Sequence, residues 1–245
     1  MPALFSKKYN FCFIHIPKTG GTTISKIIIK NIGEEGKRPP KYKPHIGAYE
    51  ALVKVDHGHP TFLSISNILK EDFDPLLKFC VVRNPWDRTL SMWRHFLYAY
   101  NISPDEFTFK NFINKDLKKS LPLKLRAKAV SFFEDDSERK FKIRQINYLK
   151  NNEGNIDDID LIIRFENLNN SIMDISKNIE HPLYDIFSDL NNSKIPHLKN
   201  STKRFKKQAN SLSKNNSYRD YYTAKMKKKV QKLCEEDIDI FKYKY

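Results

Sequence analysis

Residues 9–16 (YNFCFIHI) form an apolar, β-rich run that passes directly into Pro17-Lys18-Thr19-Gly20-Gly21-Thr22-Thr23. The run lacks polar alternation, which predicts a strand buried on both faces, as in a parallel sheet. After the loop, residues 24–32 place Ile24, Ile27, Ile28 and Ile32 at helical spacing. A buried strand, a glycine-bearing loop and a helix in that order make the front half of a βαβ unit. This unit constrains the rest of the chain more than any other feature, because a parallel strand needs further strands and crossover helices around it.

The downstream sequence supplies them. Residues 52–59 read as a second short strand and residues 64–69 as a helix. Residues 76–82 (LLKFCVV) read as a buried strand that runs into Arg83-Asn84-Pro85. Residues 86–100 then read as a helix, with Trp86, Leu90, Trp93 and Leu97 along its core face. Residues 159–165 (IDLIIRF) read as another buried strand, closed by Glu166 and Asn167, with a helix following from Asn170. Residues 101–150 read as mostly helical, and residues 223–241 as one last helix. No internal repeat and no linker divides the chain. The expectation is a single domain over residues 1–245, of α/β class, with a central mostly parallel sheet flanked by helices.

Composition narrows the function classes. The 245 residues carry 44 Lys+Arg against 29 Asp+Glu, a net charge of +15. The lysines are spread along the chain, which suits a positive surface and an anionic small substrate better than a nucleic-acid stripe. Cys12, Cys80 and Cys234 show no pairing or metal-ligand spacing. No apolar stretch approaches the roughly 18 residues of a membrane span, and no secretory leader pattern is present. A cytoplasmic location with reduced thiols is the expectation.

Three constellations carry chemistry. In the 17–23 loop, Gly20 and Gly21 let backbone approach an anion, and the following helix offers amides and the positive end of its dipole. Lys18 adds a cation, and Thr19, Thr22 and Thr23 add hydroxyls. An ordinary strand-to-helix turn is the bland reading of the same residues. The loop is not the nucleotide triphosphate loop G-x-x-x-x-G-K-[ST], because its lysine precedes the glycine pair. In the second constellation, Arg83 stands where a buried strand leaves the sheet and Ser91 follows on the next helix. Ligands of open α/β sheets bind at such strand ends. Arg83 is suited to fork onto a phosphate; taken alone it reads equally well as a solvated strand-end charge. The third is Asp56-His57-Gly58-His59-Pro60. In an extended segment His57 and His59 share one face, and a neutral imidazole is the usual base near neutral pH. Metal binding by this pair lacks a nearby third ligand, so no metal is expected.

Taken together, these motifs resemble the sulfotransferase family that uses 3′-phosphoadenosine 5′-phosphosulfate (PAPS). The resemblance implies a P-loop-like sulfotransferase fold. It implies that Lys18, Thr19, Gly20, Gly21, Thr22 and Thr23 hold the 5′-phosphosulfate, and that Arg83 and Ser91 hold the 3′-phosphate. His57-Gly58-His59 is similar to the His-Gly-His of the heparan sulfate 2-O-sulfotransferase branch, which implies His59 as the principal base with His57 in support and Lys18 as a catalytic cation. Arg164-Phe165-Glu166-Asn167-Leu168 resembles a strand-end motif of carbohydrate sulfotransferases, with a structural role. Residues 195–202 resemble the late loop over the bound nucleotide, which implies Lys199, Asn200 and Ser201 as nucleotide contacts; here Lys199 precedes Asn200, against the more frequent order. Animal members carry a membrane anchor and a luminal stem, and this chain looks like a compact bacterial-type member. The implied reaction is sulfuryl transfer to an acceptor hydroxyl on a carbohydrate, with PAPS as co-substrate and a glycan as partner. Gln145 and Tyr148 are candidates for the acceptor side. A P-loop nucleotide kinase or NTPase, and a non-catalytic polyanion-binding module, are the rival readings.

Overall fold

A computed structural model of the chain describes residues 3–32, 53–55, 59–114, 142–168 and 217–245. Its elements are β1 (Ala3–Ser6), β2 (Phe11–Ile14), α1 (Gly21–Ile32), β3 (Val53–Val55), α2 (Phe62–Leu69), β4 (Leu77–Val82), α3 (Pro85–Tyr100), α4 (Phe109–Asn114), β5 (Leu161–Arg164), α5 (Ala224–Leu233) and α6 (Glu235–Phe241). The fold groups into two compact units, residues 1–83 with 146–196 and residues 84–145 with 197–245.

The first unit is built on one five-stranded sheet of order β3-β1-β2-β4-β5. β2 pairs with β4 and β4 with β5 in parallel register, with Phe13 opposite Phe79 and Val81 opposite Ile163. β1 is antiparallel to both of its neighbours. β3 therefore runs the same way as β2, β4 and β5, and the sheet is mostly parallel as the sequence predicts. β1 is the strand that the sequence reading missed. It is four residues long and joins β2 through a turn that ends at Asn10 with φ 50°, a left-handed conformation that asparagine tolerates.

The mainly apolar pattern of β2 and β4, interrupted in β4 by the buried Lys78, is explained by burial on both faces. Phe11, Phe13, Phe79 and Val81 pack with Ile24 and Ile28 of α1, Leu4 of β1 and Ile163 of β5. Cys12, Ile14, Cys80 and Val82 alternate with them and are equally buried. Burial pushes the Cys12 thiol up to about 12 and the Cys80 thiol well above its ordinary range. Both are unpaired and chemically quiet at neutral pH.

The second unit is helical among the described residues. Asn84 caps α3, its side-chain oxygen accepting from the amides of Trp86 and Asp87, with Pro85 in the first turn. These are the residues that favour a helix start. The predicted stripe of Trp86, Leu90, Trp93 and Leu97 is buried, joined by Phe96, Phe107, Phe112, Met226 and Val230. The expectation of one helix over residues 223–241 is corrected here, and the segment read as mostly helical, 101–150, opens with a non-helical stretch. Residues 101–108 are not helical; Ser103 accepts from the Asp105 amide and Glu106 accepts from the Ser103 amide, so local turn bonds displace the helical ones. The last helix is broken at Cys234, where α6 begins on Glu235, Glu236 and Asp237. Asp237 is fully buried, and its carboxylate accepts the Gln145 amide at 2.8 Å. Acidic residues favour a fresh helix N-terminus at that point.

Among the described residues, no helix is long and apolar enough to cross a membrane. Residues 115–141, and the helix expected after Asn170, lie outside the described residues.

Candidate functional site

The carboxyl ends of β2 and β4 in the first unit meet the chemistry that the sequence marks. After β2 the chain continues through His15 and Ile16 into the 17–23 loop, and α1 starts at Gly21. The carbonyl of Gly20 accepts the amides of Thr23, at 2.8 Å, and Ile24. The earlier amides at this terminus have no carbonyl one helical turn before them, which is the feature that draws anions to helix starts.

Each glycine of the pair is required for its own reason. Gly20 has φ 89°, and a Cβ there would lie 2.7 Å from the Phe165 ring. A Cβ on Gly21 would collide with the His15 ring. Lys18 also sits at positive φ, 66°. Thr19 is fully buried, and its hydroxyl donates to the Ile16 carbonyl at 2.9 Å. Its side chain therefore tightens the loop, and its backbone amide is the group that it can offer to an anion. Thr22 is exposed and Thr23 half-buried.

Arg83, just past β4, belongs to the same cluster. Its Nη1 donates to the Lys18 carbonyl at 3.2 Å, and its guanidinium lies 4.3 Å above the centre of the Phe165 ring. It braces the left-handed Lys18 turn, and the cation–π contact holds the guanidinium plane. Phe165, one residue past β5, touches both Gly20 and Arg83. The sequence reading gave its motif a structural role; the fold places it under the loop.

His59 is half-buried beside the loop. Its Nδ1 lies 2.9 Å from the His15 carbonyl. A carbonyl can only accept, so Nδ1 carries the hydrogen and the neutral ring keeps its lone pair on Nε2. The His59 and His15 rings meet edge to face, 4.6 Å between centres at 81°. His15 is itself 2% exposed. Burial, together with the neighbouring His59 and Lys18, pushes its imidazole down to about 2, so it stays neutral.

Ser91 lies on α3 in the second unit and is half-buried. Gln145 and Tyr148 are both buried, and the Gln145 amide is taken by Asp237. His57, Lys199, Asn200 and Ser201 lie outside the described residues. Sequence reasoning missed His15, whose signal was a lone polar side chain closing an otherwise apolar strand. Among the described residues no three His, Cys, Asp or Glu side chains gather as a metal site.

The first unit thus joins a helix N-terminus, two cations and an imidazole of fixed tautomer. Such a set can hold an oxyanion and take a proton from a hydroxyl beside it. A family model described as the Sulfotransferase family matches residues 1–244. No curated protein matches the chain.

Proposed function

Because the chain belongs to the sulfotransferase family, we propose that residues 1–245 act as one PAPS-dependent sulfotransferase domain, moving a sulfuryl group to a carbohydrate hydroxyl. The observation that carries the reading is the tie between His59 and the 17–23 loop. His59 is bonded to the His15 carbonyl, and the His15 ring abuts Gly21 at the start of α1. Base and anion cradle are thereby parts of one local structure.

In this reading the loop amides and Lys18 hold the 5′-phosphosulfate, with the hydroxyls of Thr22 and Thr23 beside them. Arg83 meets the 3′-phosphate. Ser91 is assigned to the same phosphate by its motif, and Lys199, Asn200 and Ser201 to the nucleotide. His59 Nε2 takes the acceptor proton as the acceptor oxygen bonds to sulfur. The bond from sulfur to the bridging phosphate oxygen breaks, and its electron pair stays on that oxygen. Lys18 and the loop amides stabilise the charge that develops there; such donors are typically worth about 10²–10³ in rate each. A positioned base adds about 10²–10⁴. His57 supports His59. The net charge of +15 suits an anionic donor and an anionic glycan.

The test is incubation with sulfur-labelled PAPS and a panel of glycans, lipids and phenols. Label appearing on glycans, and lost in His59→Ala, is the expected result. Label on phenols or lipids alone would reassign the acceptor. No transfer to any acceptor, with the product nucleotide still bound, would reduce the protein to a binding module.

A further inference from the structure

His15 has no part in the reaction as described, yet its surroundings are unusual for a buried residue. It is 2% exposed, and among the described residues its Nδ1 has no hydrogen-bond partner. Leaving a buried polar atom without a partner is costly, and a native structure that does so calls for an explanation. A purely packing role at this position would be filled better by an apolar side chain.

The surroundings supply one. The ring stacks on Phe13 of β2, 5.7 Å between centres at 19°. Its Cδ2–Nε2 edge faces Gly21, at a spot with no room for a methyl group. It meets the His59 ring edge to face, while the His15 carbonyl holds the His59 Nδ1 hydrogen. One residue therefore touches the first amide-bearing residue of α1 through its side chain, and His59 through both side chain and backbone. The charged or titratable groups acting on it are His59, the chain's N-terminal amine and Lys18.

We propose that His15 is a positioning residue that sets His59 against the 17–23 loop, its ring wedged between Gly21 and the His59 imidazole and its carbonyl fixing the His59 tautomer. The inference rests on His59 being the base. In-line transfer needs acceptor oxygen, sulfur and leaving oxygen aligned, so the base must be held in register with the cradle that orients the sulfur. A ring lodged between the two sets that register. Its neutrality also matters, because a cation at this place would oppose protonation of His59 during the reaction.

The experiment combines three measurements on the full chain. The first is the side-chain nitrogen NMR spectrum of His59 in the wild-type protein, His15→Phe and His15→Ala. The second is turnover with labelled PAPS and a glycan acceptor taken from the panel assay. The third is affinity for 3′-phosphoadenosine 5′-phosphate. Wild-type His59 is expected to carry its hydrogen on Nδ1. His15→Ala should cut turnover about 10–10²-fold, the scale of an ångström-level misplacement, while nucleotide affinity stays close to wild type. His15→Phe keeps an aromatic ring in place and should retain more turnover than His15→Ala; it also serves, with the wild-type spectrum, if His15→Ala does not fold. Unchanged turnover in His15→Ala overturns the proposal. So does a parallel loss of turnover and nucleotide affinity, or a wild-type His59 protonated on Nε2. Full activity in His59→Ala sinks the base assignment itself, whereas an inactive His59→Ala beside a fully active His15→Ala sinks only the positioning role.

Discussion

Gly20→Ala tests whether the loop is shaped by Phe165 or only happens to lie near it. The substitution carries two costs that the structure separates. At φ 89° an alanine is held in a backbone region that L-residues rarely occupy, which costs about 1–3 kcal/mol. Its Cβ would also stand 2.7 Å from Phe165 Cδ2, well inside contact distance, so the ring must move. Moving it breaks the stack under Arg83, now 4.3 Å from the ring centre, and a cation–π contact is worth about 0.5–2 kcal/mol. The total expected loss is about 1.5–5 kcal/mol, the sum of those two ranges. Urea unfolding of wild type, Gly20→Ala, Phe165→Leu and the double variant measures it. In the Phe165→Leu background only the backbone cost persists, so Gly20→Ala should be milder there by about 1 kcal/mol, a coupling of ordinary size for touching residues. Calorimetry should show the product nucleotide weakened in Gly20→Ala. Equal costs of Gly20→Ala in both backgrounds would refute the steric account and leave Phe165 without a part in shaping the loop.

Arg83→Ala should weaken 3′-phosphoadenosine 5′-phosphate by roughly 1.5–3 kcal/mol, the scale of a hydrogen bond to a charged group, and weaken AMP much less; equal losses in calorimetry would make Arg83 a brace for Lys18 and nothing more. Lys18→Ala should lower single-turnover sulfuryl transfer more than donor affinity, because its charge matters most as the sulfur–oxygen bond breaks; normal turnover would remove Lys18 from the reaction. His59→Ala should lose about 10²–10⁴ in turnover with near-normal donor binding, and wild-type turnover should fall on the acid side as the base is protonated; a rate that is flat with pH would place the base elsewhere. His15 is pushed from 6.5 down to about 2 in the folded chain, so below about pH 6.5 the unfolded state binds a proton that the folded state refuses. Stability should therefore drop as pH falls from 6.5 towards 2, by up to about 1.4 kcal/mol per unit. His15→Phe should flatten that acid limb in urea titrations, and an unchanged limb would contradict the burial of a neutral imidazole.

Much of the first unit was legible because its signals are local. The run ending at Ile16, the glycine pair and the isoleucines of α1 encode strand, loop and helix within a few residues of one another. Asn84-Pro85 marks the start of α3 by cap chemistry alone, and the stripe from Trp86 to Leu97 marks its buried face. The helix start at Gly21 could be read for the same reason, since the glycine-bearing loop and the α1 pattern adjoin in sequence. The pairing of β1 with β2 was not legible. A four-residue strand has too little pattern to show, and its partner is chosen by the sheet edge that the other strands leave. The break at Cys234 coincides with a buried carboxylate, Asp237, whose partner, the Gln145 amide, lies far away in sequence and leaves no local mark. Most of all, the sequence could single out Gly20, Gly21, Arg83 and His59 without saying what lies against them. The ring of Phe165 reaches Gly20 and Arg83 from the end of β5, through the parallel register of β2, β4 and β5, while His15 meets Gly21 from the end of β2 itself. Helix and turn preferences act over a few bonds and can be read along the chain, whereas which ring fills the space beside a glycine is set by packing between strands far apart in sequence.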